Sequence, residues 1–551
     1  MQRRFCVSNL FEIGCFVLGI SLSRRAFLRQ VALGAGALGV SRALGPLVSQ
    51  GAERSGQRPN ILFILTDDEG WPTLGCYGGT RVPTPCLDAL ATAGMRFTDA
   101  YVMPQCTPTR AALLTGQHTA RNGMWHVIGW YGYPWAPLRE PAFAETLPRE
   151  TFTVAKGLKA AGYATACLGK WHLSTTGDGS YIGLKPEAAR YFGFDYAPAP
   201  PSPRYNQEGD KGVGWLTDQA IGFIENHRGR PWFIYLAHHT IHGPVVAPPQ
   251  TVAKYRAQGA PEIGLHNATY LAALETLDES VGRLMRRLDE LKLRDNTLVV
   301  FLSDNGGIYE RYDPQAFTEG NSPTGPLQVN LQEFSNAPLR AGKGSQYEGG
   351  IRVPCLVRWP GVVRPGSVSH TPIHVVDWLP TLLEAAGGRV PASHHVDGDS
   401  LVPLLRGATL GPRRLFWYLP FYELRWGATP CAIVREGDWK LIEHFGDWFD
   451  PEGRYVSGRR LELFNLADDL GETTDLADRR PQMAAELSAA LHAWMKSVPV
   501  EIPGPNPHYD PQRPLRETRE KQPWNRPRGA GRQPGDARGR VGSLRAGGLG
   551  L

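Results

Sequence analysis

Short apolar runs alternate along this chain with segments whose apolar residues recur at three- and four-residue steps. Residues 60–66 (NILFILT) have no polar face, the pattern of a strand buried on both sides. The same pattern returns at 162–168, 232–237 and 297–302. Between these runs, 153–161, 216–226 and 269–291 carry the spacing of amphipathic helices. Strands and helices alternating in this way predict an α/β fold: a large, mostly parallel sheet flanked by helices, over residues 58–410. After about residue 411 the pattern changes. Residues 415–450 are rich in Trp, Tyr and Phe, with strand-like stretches at 432–435 and 439–443 and a helix over 483–495. This predicts a smaller C-terminal α+β domain over 411–500, an antiparallel sheet with one packed helix.

Each predicted parallel strand runs straight into a polar cluster: Asp67 and Asp68; Lys170 and His172; His238, His239 and His242; Asp304 and Asn305. Ligands of open parallel sheets bind outside the carboxyl ends of the strands, so these clusters are expected to converge on one site. Asp67, Asp68, Asp304 and Asn305 together offer three carboxylates and an amide oxygen, a donor set for a hard divalent cation, Ca²⁺ or Mg²⁺. Arg110, Lys170, His172, His242 and Lys343 add more positive charge than a neutral substrate needs. An anionic tetrahedral group, a sulfate or phosphate ester, is the substrate they suit. His238 and His239 read as supporting residues. Cys106 stands beside Thr107 and Pro108 at the start of a short predicted helix over 109–114. There, free N–H groups suit an anionic ligand or a thiolate.

Charge narrows the class. Six Arg against one Glu in 1–50, and nine Arg with one Lys against five acids in 501–551, leave residues 51–500 near −4 within a net charge of +6. A weakly acidic body excludes a nucleic-acid protein, whose basic residues belong on the folded domain. At the N-terminus, Ser23-Arg-Arg-Ala-Phe-Leu28 precedes a small apolar run, the pattern of a twin-arginine signal, so 1–50 is expected to be a presequence and the protein periplasmic or secreted. That run is too broken by Gly and Arg42 to be a stable membrane span. Residues 501–551 read as a disordered basic tail rich in Pro, Gly and Arg. The six cysteines after the presequence are too sparse for a disulfide scaffold, although the spacing of Cys76 and Cys86 permits one bridge.

Cys106-Thr-Pro-Thr-Arg110 fits the Cys-x-Pro-x-Arg signature of the type I sulfatase family, within the alkaline phosphatase superfamily. The resemblance extends through Leu65-Thr-Asp-Asp68, Leu168-Gly-Lys-Trp-His-Leu173, His242-Gly-Pro244, Ser303-Asp-Asn-Gly-Gly307 and Gly342-Lys-Gly-Ser-Gln-Tyr-Glu-Gly-Gly-Ile-Arg-Val-Pro354. It reaches the smaller domain in Gly437-Asp-Trp-Lys-Leu441 and Leu463-Phe-Asn-Leu466. In that family the cysteine is oxidised to formylglycine by a formylglycine-generating enzyme. The resemblance implies that Asp67, Asp68, Asp304, Asn305 and the modified Cys106 bind one Ca²⁺, and that the hydrated aldehyde offers two hydroxyls. One attacks sulfur and the other drives expulsion of sulfate by C–O cleavage, a route closed to serine. Arg110 and Lys170 would stabilise the hydrate, His172 would act as base, and His242 with Lys343 would hold the sulfate and protonate the leaving oxygen. Thr107 replaces the commoner Ser, and Ile241 stands where Pro is frequent; neither change removes a functional group. The neighbouring alternatives are a formylglycine-dependent phosphonate monoester or phosphodiester hydrolase and a non-catalytic anion-binding homologue with unmodified Cys106. Trp125, His126, Trp130, Tyr131, Tyr133 and Trp135 follow the Cys106 segment and suit either stacking on a sulfated carbohydrate at the pocket rim or ordinary packing.

Overall fold

The computed structural model describes residues 58–129, 132–175, 177–308, 311–312, 329–331, 334–450 and 454–510. The presequence, Trp130, Tyr131 and residues 511–551 lie outside the described residues.

The main sheet has eight strands. In chain order they are β1 (Asn60–Thr66), β2 (Met95–Tyr101), β3 (Ala164–Gly169), β4 (Trp232–Ala237), β5 (Thr297–Ser303), β6 (Arg352–Arg358), β7 (Ser367–Ser369) and β8 (Ile373–His374). Their spatial order is β8-β2-β6-β5-β1-β4-β3, with β7 also pairing with β2. Strands β5, β1, β4 and β3 are mutually parallel, whereas β6 runs antiparallel between β5 and β2. The sheet is therefore mixed and mostly parallel, as the apolar runs imply.

Alternation along β1 shows why these runs carry no polar face. Ile61, Phe63 and Leu65 enter one core with the helices α2 (Cys106–Thr115), α3 (Val154–Ala160) and α6 (Trp378–Ala385). Leu62 and Ile64 enter the opposite core with α1 (Pro85–Thr92), α4 (Val213–His227) and α5 (Ala268–Glu290). Both faces are dry, so period-two patterning has no polar phase to display. Among the described residues no helix is long and apolar enough to cross a membrane.

The smaller sheet comprises β9 (Arg414–Leu419), β10 (Cys431–Glu436), β11 (Trp439–His444) and β12 (Arg460–Asn465), all antiparallel in sequence order, with α7 (Pro481–Ser497) packed on it. It does not have a core of its own: Tyr101, Met103, Trp125, Tyr133 and Leu138 of the larger part share one apolar cluster with Trp417, Tyr422, Leu441 and Leu491. Buried charges cross the same boundary. Lys440 Nζ lies 3.0 Å from Glu348 and 2.7 Å from Glu472, and Arg435 lies 2.9 Å from Asp99.

The expected tail is corrected over its first residues. Arg139 N donates to Gly504 O, Asn506 N to Pro137 O, and Asn506 Nδ2 to the carbonyls of Pro134 and Ala136, so 501–510 lines the 134–139 segment. Sparse apolar periodicity hid this because the contacts are backbone hydrogen bonds. Cys76 and Cys86 are both free thiols.

Glu140 is buried at the shared core, accepting from Tyr422 N at 2.8 Å with no cation beside it among the described residues. Burial pushes its pKa up from 4.5 to about 8. A carboxyl whose folded value is raised binds more protons folded than unfolded, so its contribution to stability falls as pH rises from about 4.5 towards 8. Glu140→Gln keeps the acceptor oxygen and removes the ionisation. Its unfolding midpoint is expected to match the parent near pH 4.5 and to exceed it increasingly up to pH 8, by roughly 2–4 kcal/mol. Coincident urea transitions at pH 8 would count against it.

Candidate active site

The ends of β1, β3, β4 and β5 point to one edge of the sheet, and the N-terminus of α2 comes up against that edge. Two of the end residues take backbone conformations that ordinary side chains rarely adopt: φ is 63° at Asp68 and 54° at His172. Such geometry costs on the order of 1 kcal/mol or more and concentrates at functional sites. A Cβ at Gly306 would lie 1.7 Å from the carbonyl oxygen of Gly349, so glycine there lets the segment carrying Lys343 close over Asn305.

Helix α2 begins three residues before the predicted 109–114. Gln105 is its N-cap and Cys106 its first residue, and all ten residues are buried. Thr107 instead donates its hydroxyl to His172 O at 2.9 Å, tying the helix start to the end of β3. Cys106 Sγ lies 3.5 Å from Asp67 Oδ1. Arg110 forks onto Asp304 Oδ2 through Nη2 at 2.6 Å and Nε at 3.1 Å, and donates Nη1 to Lys170 O. Lys170 Nζ reaches Asp67 at 2.5 Å, and Lys343 Nζ reaches the Asp68 carboxylate at 2.7 Å. His242 donates Nδ1–H to Gly243 O at 2.6 Å, which turns Nε2 towards Asp68 at 3.9 Å. His172 Nδ1 is buried and has no partner among the described residues. All ten residues singled out from the sequence are thus brought together. His238 and His239 lie below them, His239 Nε2 meeting Tyr205 Oη at 2.9 Å.

The charges set one another. Burial alone would raise the Asp67 carboxyl, but Lys170, His242, Arg110 and Lys343 hold it well below its usual value. Asp304 is pushed up to about 6 by burial and by Asp67 beside it. Burial lowers His242 to about 4, helped by Lys343, and holds His172 well below its ordinary value, helped by Lys170, so both imidazoles are neutral at pH 7. Lys343 is raised despite its burial, chiefly by Asp68, and stays an ammonium. Burial and Asp304 push the Cys106 thiol up. The thiolate that a helix N-terminus would favour is therefore not formed: desolvation and two carboxylates outweigh the dipole.

Donor atoms of Asp67, Asp68, Cys106 and His242 lie within 4.8 Å of one another. The amide oxygen of Asn305 is buried and without a partner among the described residues, while Asn305 Nδ2 donates to Asp68 Oδ1 at 2.8 Å. An orphaned amide oxygen beside clustered carboxylates is the donor chemistry that a hard cation completes.

Two features were not foreseen. Glu69 is buried, pushed up to about 7 by desolvation, and bonded by Thr66 and Thr73. Tyr181 places its ring over Lys170 from a loop without periodicity, so no local signal could find it. Three residues of the aromatic run pack: Trp125 lies edge-on to Tyr418, His126 meets Phe421 at 4.5 Å and Tyr133 meets Tyr422 at 6.1 Å.

A family model described as Sulfatase matches residues 59–388. The chain belongs to the sulfatase family. A second model, described as N-sulphoglucosamine sulphohydrolase, C-terminal, matches 342–499 of this sulfatase. Human Arylsulfatase A is 34% identical over 465 residues, covering 76% of this chain and 83% of its own. A Sulfatase of Formosa agariphila is 29% identical over 547 residues, covering 82% and 92% respectively. Among solved structures, Ps i-CgsB superposes with a TM-score of 0.61 at 25% identity, covering 83% of this chain and 95% of that one. It has also been solved in complex with k-i-k-neocarrahexaose. The sulfatase described here is accordingly a sulfuric ester hydrolase of alkaline-phosphatase-like fold.

Proposed function

We propose that this sulfatase cleaves sulfate esters of carbohydrates, with a formylglycine made from Cys106 as nucleophile and one Ca²⁺ at the site. One observation carries the reading: position 106 is central and buried, yet its thiol is held protonated among carboxylates and ammonium groups. An unmodified thiol there is a weak nucleophile, whereas the cationic groups around it suit an anionic ester. The hydrated aldehyde supplies a hydroxyl nucleophile and a second hydroxyl whose ionisation expels sulfate. The cation would be held by Asp67, Asp68, Asp304 and Asn305 with residue 106, and when bound withdraws charge from the reacting oxygens.

Around that centre the side chains divide the work. Neutral His172 takes up a proton at Nδ1, the atom the fold leaves unpaired. Arg110, locked onto Asp304, and Lys170, locked onto Asp67, fix the positive charge around position 106. Lys343, a persistent ammonium, holds the sulfate and donates towards the leaving oxygen. His242 Nε2 faces the same space and gains its proton when the anion arrives. The carbohydrate class draws support from the neocarrahexaose complex of Ps i-CgsB.

The reading assigns 1–50 to a twin-arginine presequence, 58–410 to the catalytic domain, 411–500 to the smaller domain and 511–551 to a tail. It places the mature enzyme in the periplasm or outside the cell. Its partners are then the twin-arginine translocase and a formylglycine-generating enzyme.

Mass spectrometry of the peptide spanning Cys106, from natively expressed active protein, is expected to show the aldehyde; an intact thiol in fully active protein sinks the mechanism. Sulfate release from a panel of sulfated glycans then identifies the ester. Chelation is expected to cut that release at least about tenfold, with Ca²⁺ restoring it.

A further inference from the structure

The turn that carries Tyr181 is built with care at the mouth of the site. His172 N donates to Ser180 O at 3.1 Å and Ser180 N to Gly183 O at 3.0 Å, while Gly179 and Leu184 form a β-bridge beneath. Ile182 O accepts from Tyr205 Oη at 3.1 Å and meets His239 Nε2 at 3.0 Å. These bonds hold the backbone on both sides of Tyr181. Its ring lies 4.5 Å from Lys170 Nζ and 5.1, 5.3 and 5.4 Å from the rings of His172, His239 and His242.

The hydroxyl at the end of that ring is shielded from solvent and has no hydrogen-bond partner among the described residues. Leaving a buried hydroxyl unpaired costs about 1–3 kcal/mol, a cost that a ligand can remove. The neighbouring hydroxyls are already engaged, Tyr205 with His239 and Thr107 with His172 O. A phenol carries its proton at neutral pH, so the unpaired group is available as a donor. Of a sulfate ester, the part that enters between Lys170, His242 and Lys343 is the anion, and its oxygens are strong acceptors.

We propose that Tyr181 is a further substrate-contacting residue: its hydroxyl donates a hydrogen bond to the sulfate group of the bound ester, while its ring keeps the Lys170 ammonium in place. The inference rests on sulfate-ester hydrolysis and not on the aldehyde at position 106.

Tyr181→Phe isolates the hydroxyl, since the ring over Lys170 remains. Titration with inorganic sulfate and the KM for 4-nitrophenyl sulfate are both expected to weaken about five- to thirtyfold. Thermal unfolding of the substrate-free variant is expected at the parent's midpoint or above, because an unpaired polar group has been deleted; a hydroxyl with a purely structural role would lower it. Tyr181→Leu, which also uncovers Lys170, is expected to lower kcat in addition. A sulfate dissociation constant for Tyr181→Phe within twofold of the parent overturns the proposal, as does a clear drop in its melting temperature. Sulfate titration needs no turnover, so this failure is distinguishable from failure of the Cys106 reading.

Discussion

Cys106→Ala protein is expected to fold like the parent and to release sulfate from esters at least about 10⁴-fold more slowly, the scale of loss when a catalytic nucleophile is deleted. The folding half follows from packing. Among the described residues Cys106 makes one long side-chain hydrogen bond, 3.5 Å to Asp67, and the shortened residue still starts an all-buried helix, so the stability change is on the order of 1 kcal/mol. The activity half follows from the site, where Cys106 starts the helix that meets the strand ends and its Sγ lies 3.5 Å from Asp67. Cys106→Ser refines the test. A serine ester of sulfate has no second hydroxyl to expel it, so this variant is expected to take up at most one sulfate per chain and then stop. Ion chromatography of released sulfate, with the protein weighed before and after by mass spectrometry, reads both results. Sustained turnover by either variant would remove position 106 from the chemistry.

Lys440→Met is expected to cost about 3–5 kcal/mol, read as a lowered guanidinium midpoint. Lys440 is fully buried between Glu348 and Glu472, which are equally inaccessible. Burial would raise Glu348, yet Lys440, Arg352 and Arg435 together hold it low, while Glu472, with fewer cations, is pushed up to about 7. Removing the shared ammonium leaves both carboxylates dry and facing each other. The loss should reach the site as well, because Glu348 opens the short helix that follows the Lys343 loop, and Gly349 N bonds back to Arg340 O. An unchanged midpoint would mean that the two sheets do not depend on this ion pair.

The catalytic edge was legible in the sequence because its grammar is local. An apolar run that stops at a charge marks a strand and its functional end together, and β1 with Asp67 and Asp68 shows both within nine residues. The helix start was misplaced by a similar argument. Pro108 reads as a first-turn proline, but Gln105 caps the helix without any side-chain bond, leaving no signature to read. Neither the union of the two sheets nor Tyr181 could be seen, since both depend on residues far apart in the chain: Trp125 against Tyr418, and the 179–184 turn against the end of β3. The aromatic run was left open between rim and core, and packing decides for core at Trp125, His126 and Tyr133.

The side chain at position 106 is 1% exposed, at the head of a helix that no part of the surface touches. Another enzyme cannot grip it there. On the proposed reading, conversion therefore races against collapse: a chain that folds first carries its thiol permanently, and one converted first carries the aldehyde. The active fraction of a preparation would then record the order of two events in each molecule's history, and no later incubation of folded protein with the converting enzyme would raise it.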